Sequence, residues 1–345
     1  MRFLAVLKTL KVESLMIFVN KTENPAKLLD KLTDNFLSTI VSYIKRNYGH
    51  NGKPAMKNLA SEALLLLTAV IWGLAFVAQR QGMESLDPML FNGLRFALGA
   101  LIVGLFTLKT KRARAKIPFP WLLGIVLTIA SAFQQIGMVW TTAGNAGFIT
   151  GLYIVFVPII GIFRKQFIGK HVWVAVLLAI AGLYLMDIKQ DINVSIGNLF
   201  VLIGAVFWAW HVQLVDQYTR KYDTLSIAFA QVSFCALSSL IIGVVYNFTL
   251  KPDFLFKPEI YQAISHAGIP LLYNGLLSVG IAYTLQVHAQ KKVAPSAAAL
   301  ILCLESVFAL VGGWLLLHEK LTLPILSGAA LLLVAMLISV RYSRK

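Results

Sequence analysis

The residue with the most chemistry to offer is Glu305. It lies near the centre of an apolar run over 295–317, where an ionisable side chain is costly and faces a bundle interior or a water path. A carboxylate at that depth is paired, hydrated or protonated. It suits three roles: binding a cationic group of a solute, carrying a coupling proton, or hydrogen bonding to neighbouring helices. Arg95, in the run 88–108, cannot shed its charge and needs an acceptor. That acceptor is a solute carboxylate, the carboxylate of Glu305, or backbone carbonyls. Gln134, Gln135 and Asn274 sit at comparable depth and offer donors and acceptors without a formal charge. They suit an amphipathic solute, and equally they suit helix-to-helix bonds. Trp72, Tyr153, Trp208, Trp210, Tyr273 and Tyr283 fall at or near the middle of apolar runs, where an aromatic ring either packs or lines a pocket.

Other chemistries fail on spacing. His211 and Asp216 form a His-x4-Asp pattern that acyl transfer uses, with the histidine as base. Five residues along a helix separate two side chains by about 140°, so they do not share a face. His211 is a better cavity-lining candidate. Asp187 and Asp191 read as a solvated pair in a loop. Cys235 and Cys303 both lie inside apolar runs and have no metal-ligand spacing. No Gly-x4-Gly-Lys-Ser/Thr loop occurs, so the chain encodes no ATP-driven pump. No cofactor is expected.

The elements that must position these residues are apolar helices. Hydrophobic residues make up 58% of the 345 residues and charged residues 13%, a balance unlike that of a soluble domain. Runs of about 20 apolar residues, each long enough to cross a bilayer, recur at roughly 61–80, 88–108, 119–141, 146–163, 172–187, 196–215, 225–248, 266–288, 295–317 and 322–341. The period-2 alternation of a membrane barrel is absent. The expected fold is therefore an all-α integral membrane protein of ten transmembrane helices.

The net charge is +16, and its placement argues against nucleic acid as a partner. Alternate loops hold Lys109, Lys111, Arg112, Arg114, Lys116, Arg164, Lys165, Lys170, Arg220, Lys221, Lys291, Lys292, Arg341, Arg344 and Lys345. The opposite loops hold only Arg80, Lys189, Lys251, Lys257 and Lys320. This bias puts both ends of the bundle in the cytoplasm. The expected surroundings are a lipid bilayer, namely a bacterial-type inner membrane.

The chain also repeats itself. Ala69, Val70 and Trp72 recur as Ala205, Val206 and Trp208, and Asp87 recurs as Asp223. Ala132-Phe133 recurs as Ala282-Tyr283 after a longer loop near 249–264. The first and sixth spans are an odd number apart, so the two copies run oppositely across the bilayer. Inverted halves are the architecture of alternating-access carriers. The expected division is residues 56–191 and 192–345, with Arg95 matched by Gln231. Residues 1–55 read differently, with apolar stretches broken by Lys8, Lys11 and Glu13. They are expected to be an extension outside the repeats, poorly ordered or upstream of a true start at Met56.

Several segments together make the chain resemble the EamA-type members of the drug/metabolite transporter superfamily. They are AVIWGLAF in the first span, NGLRFALGAL with Arg95 in the second, and TTAGNAGFITGLYIVFVPIIG across the third and fourth. The last is APSAAALILCLESVFALVGGWLLLHEKLT, with Glu305 and Glu319, around the ninth. The family pattern often has proline after the mid-helix glutamate. Here that position is Ser306, which weakens the expectation of a helix break there. The resemblance implies two inverted five-helix repeats and a central cavity lined mainly by the first, third, fourth, sixth, eighth and ninth spans. It implies secondary transport, most readily efflux, of a small metabolite or amino-acid-like solute. Protons are a candidate coupling ion and a homodimer a candidate assembly. The rival classes are a membrane-embedded enzyme and a non-transporting receptor or scaffold. The candidate binding residues are Glu305, Arg95, Gln134, Gln135, Asn274, His211, Trp72, Tyr153, Trp208 and Tyr273.

Overall fold

The structure is a computed structural model that describes residues 53–109, 121–187, 196–250, 259–317 and 323–342. The expected extension up to residue 52, residues 251–258 of the 249–264 loop, Asp191 and Glu319 lie outside the described residues. Residues Asn58–Lys345 form one compact unit.

Apolar sequence gives helices throughout. They are α1 (Lys53–Gly82), α2 (Pro88–Lys109), α3 (Trp121–Gly137), α4 (Ala143–Gly151), α5 (Tyr153–Phe163), α6 (Lys170–Asp187), α7 (Ile196–Thr219) and α8 (Thr224–Leu250). After them come α9 (Glu259–His266), α10 (Gly268–Leu272), a π-helical segment (Tyr273–Ala282), α11 (Tyr283–Gln290), α12 (Pro295–Leu302), α13 (Glu305–Leu317) and α14 (Leu323–Tyr342). Among the described residues, seven stretches are long and apolar enough to cross a membrane, where ten were expected. Three shorter apolar helices, Trp121–Gly137, Lys170–Leu185 and Leu326–Ser339, lie at the expected third, fifth and tenth spans. Side chains such as Leu101, Phe163, Leu177 and Leu237 point outward, as a hydrocarbon surrounding requires.

Local signals start the helices where the repeat places them. Asp87 Oδ1 accepts from the backbone N–H groups of Met89 and Leu90 at 3.0 Å each. Its counterpart Asp223 accepts from Leu225 at 3.0 Å and Ser226 at 3.3 Å. Each aspartate thus satisfies amides that the first helical turn leaves open. Pro295 opens α12, where its missing N–H costs nothing. The two halves interlock: α2 packs on α8, α3 on α7, and α6 on α14. Each of these pairs joins one half to the other.

Candidate functional site

Two broken helices meet at the centre of the bundle. The fourth span is interrupted at Leu152, between α4 and α5, and the ninth at Cys303–Leu304, between α12 and α13. At both breaks the backbone tightens to three-residue bonds: Leu152 N–H to Ile149 O at 3.1 Å, and Ser306 N–H to Cys303 O at 3.1 Å. The ninth-span break therefore forms without the proline whose absence argued against it. Tertiary contacts hold it. Ser306 Oγ donates to Gly147 O at 2.8 Å, and Cys303 Sγ to Gly151 O at 3.6 Å. The crossing is close because Gly151 lacks a side chain. A Cβ there would lie 2.7 Å from Ser306 Oγ. Interrupted helices in corresponding positions of two halves mark the binding region of such folds.

The breaks deliver Glu305 and Tyr153 to the same place. Glu305 is the first residue of α13, where the positive end of the helix favours a carboxylate. Tyr153 is the first residue of α5. The two are close enough to interact electrostatically, although the Tyr153 hydroxyl meets no partner in hydrogen-bond geometry. Both line the central cavity of the bundle.

Arg95 lines the same cavity but forms no ion pair with Glu305 among the described residues. Of the acceptors open to Arg95 from the sequence, the Glu305 carboxylate is thus not the one it meets: amides already occupy part of the guanidinium. Arg95 Nε and Nη2 donate to Asn92 Oδ1 at 3.0 and 2.7 Å, and Nη1 donates to Asn274 Oδ1 at 3.3 Å. The guanidinium carbon also sits 5.2 Å from the centre of the Phe96 ring, a cation–π distance. A guanidinium has five N–H groups, so one on each terminal nitrogen has no acceptor among the described residues.

Aromatic rings close one side. Trp72 and its repeat mate Trp208 meet with ring centres 6.4 Å apart, and Tyr283 stands 4.9 Å from Trp72 and 6.2 Å from Trp208. The π-helical segment braces this wall. Its Ser278 carbonyl accepts from Trp72 Nε1 at 3.2 Å, and its Tyr273 hydroxyl donates to Ile71 O at 3.0 Å. Such wide turns concentrate at functional sites. Gln134 Nε2 donates to Thr150 Oγ1 at 3.0 Å across the cavity wall. Among the described residues, four wall atoms have no partner in hydrogen-bond geometry: Gln79 Oε1, Tyr153 Oη, Trp208 Nε1 and Gln286 Oε1. Buried polar atoms are normally satisfied, so several orphans converging on one cavity point to a polar occupant.

Of the ten candidate residues, six line the cavity: Glu305, Arg95, Gln134, Trp72, Tyr153 and Trp208. The other four do not. Asn274 stands behind Arg95 and also donates to Pro270 O at 3.1 Å. Tyr273 braces α1. His211 is fully buried and pairs with Gln231 at 2.8 Å. Asp216, the other member of the His-x4-Asp pattern, forms an ion pair with Arg220 at 3.0 Å instead. Gln135 is fully buried, and neither amide atom meets a hydrogen-bond partner among the described residues. The second span joins the wall through Arg95. Sequence reasoning missed Gln79, Thr150, Gln286 and, above all, Asn92. Asn92 precedes Arg95 by three residues, so it shares a helix face with it. That spacing was the available signal.

Comparison with known proteins matches two stretches, residues 59–187 and 195–341, to the EamA-like transporter family. An uncharacterized transporter of Archaeoglobus fulgidus is 32% identical over 309 residues, covering 89% of this chain and 93% of that protein. A probable amino-acid metabolite efflux pump of Escherichia coli is 26% identical over 289 residues, covering 80% and 93%. A solved crystal structure superposes with a TM-score of 0.66 at 16% identity, covering 83% of this chain and 98% of that one. That last likeness speaks for the fold alone.

Proposed function

The chain belongs to the EamA-like transporter family, and on that premise we propose that it exports a small amino-acid-like zwitterion by alternating access. It is a membrane transporter and not an enzyme. The observation that carries the substrate class is that Arg95 and Glu305 line one cavity without pairing with each other. A zwitterion places its carboxylate on the free N–H groups of Arg95 and its ammonium on Glu305. Both buried charges are then met together, which avoids the penalty of an unpaired one. The rings of Trp72, Trp208 and Tyr283 take the apolar part of the solute, and the orphaned oxygens of Gln79 and Gln286 accept from its donors. The relatives named amino-acid metabolite efflux pumps support both class and direction.

The transport unit in this reading is residues 56–191 and 192–345, ten spans in two inverted halves. Both ends lie in the cytoplasm of a bacterial-type inner membrane, as the basic loops favour. The halves rock about the crossing of the broken helices. Glu305 takes either the substrate ammonium or a proton, so outward substrate is exchanged for inward proton. The test is transport in proteoliposomes against an amino-acid panel, with and without a pH gradient, for wild type, Glu305→Gln and Glu305→Asp. The wild type should respond to the gradient, the glutamine variant should not, and the aspartate variant should keep part of the response. Wild-type rate and pH profile in Glu305→Gln would remove the coupling role. A panel with no transported zwitterion would remove the substrate class.

A further inference from the structure

We infer that Asn92 is a positioning residue that keeps the charge of Arg95 available and so sets selectivity for a carboxylate-bearing substrate. The inference rests on the reading of Arg95 as the receiver of the substrate carboxylate. Asn92 is fully buried and does not itself line the cavity, yet its amide has a single possible orientation. Its Nδ2 donates to Ser131 Oγ at 3.1 Å and to Ser239 Oγ at 2.9 Å. Ser131 is on α3 in the first half and Ser239 on α8 in the second. With both donor hydrogens committed, the only group left to face Arg95 is the oxygen, and it receives two guanidinium bonds. Ser131 is itself fixed, donating to Thr128 O at 3.2 Å. Both donor hydrogens and the acceptor oxygen of Asn92 are thus engaged, and a buried amide satisfied in this way specifies one geometry.

The choice of an amide over a carboxylate has a consequence for the ligand. An aspartate at the same place would accept the same two bonds and also cancel the guanidinium charge. A neutral acceptor orients Arg95 without cancelling it. Asn274, from the second half, does the same on the other terminal nitrogen. Two amides therefore aim the arginine while its net charge and two N–H groups stay free for an anion. Glu305, the acid on the same wall, has no cationic partner among the described residues. Holding the guanidinium from both halves also ties its aim to their relative position.

The full chain, reconstituted in liposomes, tests this with two probes: L-phenylalanine, and L-phenylalaninamide, in which the carboxylate is replaced. In the wild type the KM for the amide should exceed that for phenylalanine by about tenfold or more, the scale of a charged hydrogen bond. In Asn92→Asp that ratio should collapse towards one, with the maximal rate for phenylalanine within about threefold of wild type. Ser239→Ala, which loosens only the orientation of the amide, should raise the phenylalanine KM by a smaller factor. Thermal melting and gel filtration accompany each variant. If Asn92→Asp does not fold, Asn274→Asp asks the same question from the other holder. A wild type that discriminates and an aspartate variant that discriminates equally overturns the role of Asn92 and leaves the Arg95 reading standing. A wild type that treats both probes alike overturns the Arg95 reading and this inference with it.

Discussion

Arg95 and Gln231 occupy corresponding positions in the two halves, 136 residues apart, yet they do different things. Arg95 reaches the cavity with donors to spare. Gln231 is fully buried and turned to His211, with which it shares a hydrogen bond at 2.8 Å. Around them the frame is repeated closely. Asp87 and Asp223 cap equivalent helices, the fourth and ninth spans break at equivalent places, and Trp72 meets Trp208. The repeat thus conserves backbone devices, while the polar groups differ between halves. A two-fold frame with one arginine and one glutamate on its central wall gives the cavity a direction.

The sharpest way to break this contrast is to make the first half like the second. Arg95→Gln should lower kcat/KM for a carboxylate-bearing substrate on the order of a hundredfold, the loss of charged hydrogen bonds in a buried site. Proteoliposome uptake measures it, and a loss below about threefold would mean that the two positions are equivalent after all. The next effect concerns the crossing. Gly151→Ala puts a Cβ against Ser306 Oγ and should cost about 1–3 kcal/mol of stability, read as a lower melting temperature. Transport should slow with it, because the two breaks share that contact. The smallest effect compares the caps. Asp223→Ala should cost about 1 kcal/mol. Asp87→Ala should cost somewhat more, because Asp87 also accepts from Asn247 on α8. Equal melting shifts for the two would show that this extra bond contributes nothing.

Much of the frame was readable in order along the chain. Apolar runs, the capping aspartates and the repeated tryptophans are local signals, and Glu305 and Arg95 stood out because charge inside an apolar run is conspicuous. The neutral residues were not conspicuous. Asn92, Gln79 and Gln286 carry no charge and do not disturb hydropathy, so nothing local marks them among other polar positions. His211 and Gln135 show the converse: they are polar and central in their spans, yet neither lines the cavity, and His211 stands behind the rings of Trp208 and Tyr283. The helix break at Cys303–Leu304 was also hidden. It carries no proline, and its hydrogen-bonding partners, the carbonyls of Gly147 and Gly151, are some 150 residues away in the chain.

The sequence by itself determined that this is a bundle of apolar helices built twice over, with an acid and a base buried in it, since hydropathy, capping and duplication act within short stretches of chain. The tertiary structure alone decided which polar side chains face the cavity and which face each other. It separated Arg95 from Glu305 by giving the arginine amide partners on α2 and in the π-helical segment, and it left the carboxylate without a cationic partner among the described residues. The physical reason is that a hydrogen bond lives on distances of about 3 Å and on direction. Both depend on how helices from opposite halves are rotated against one another, and no stretch of sequence contains that rotation.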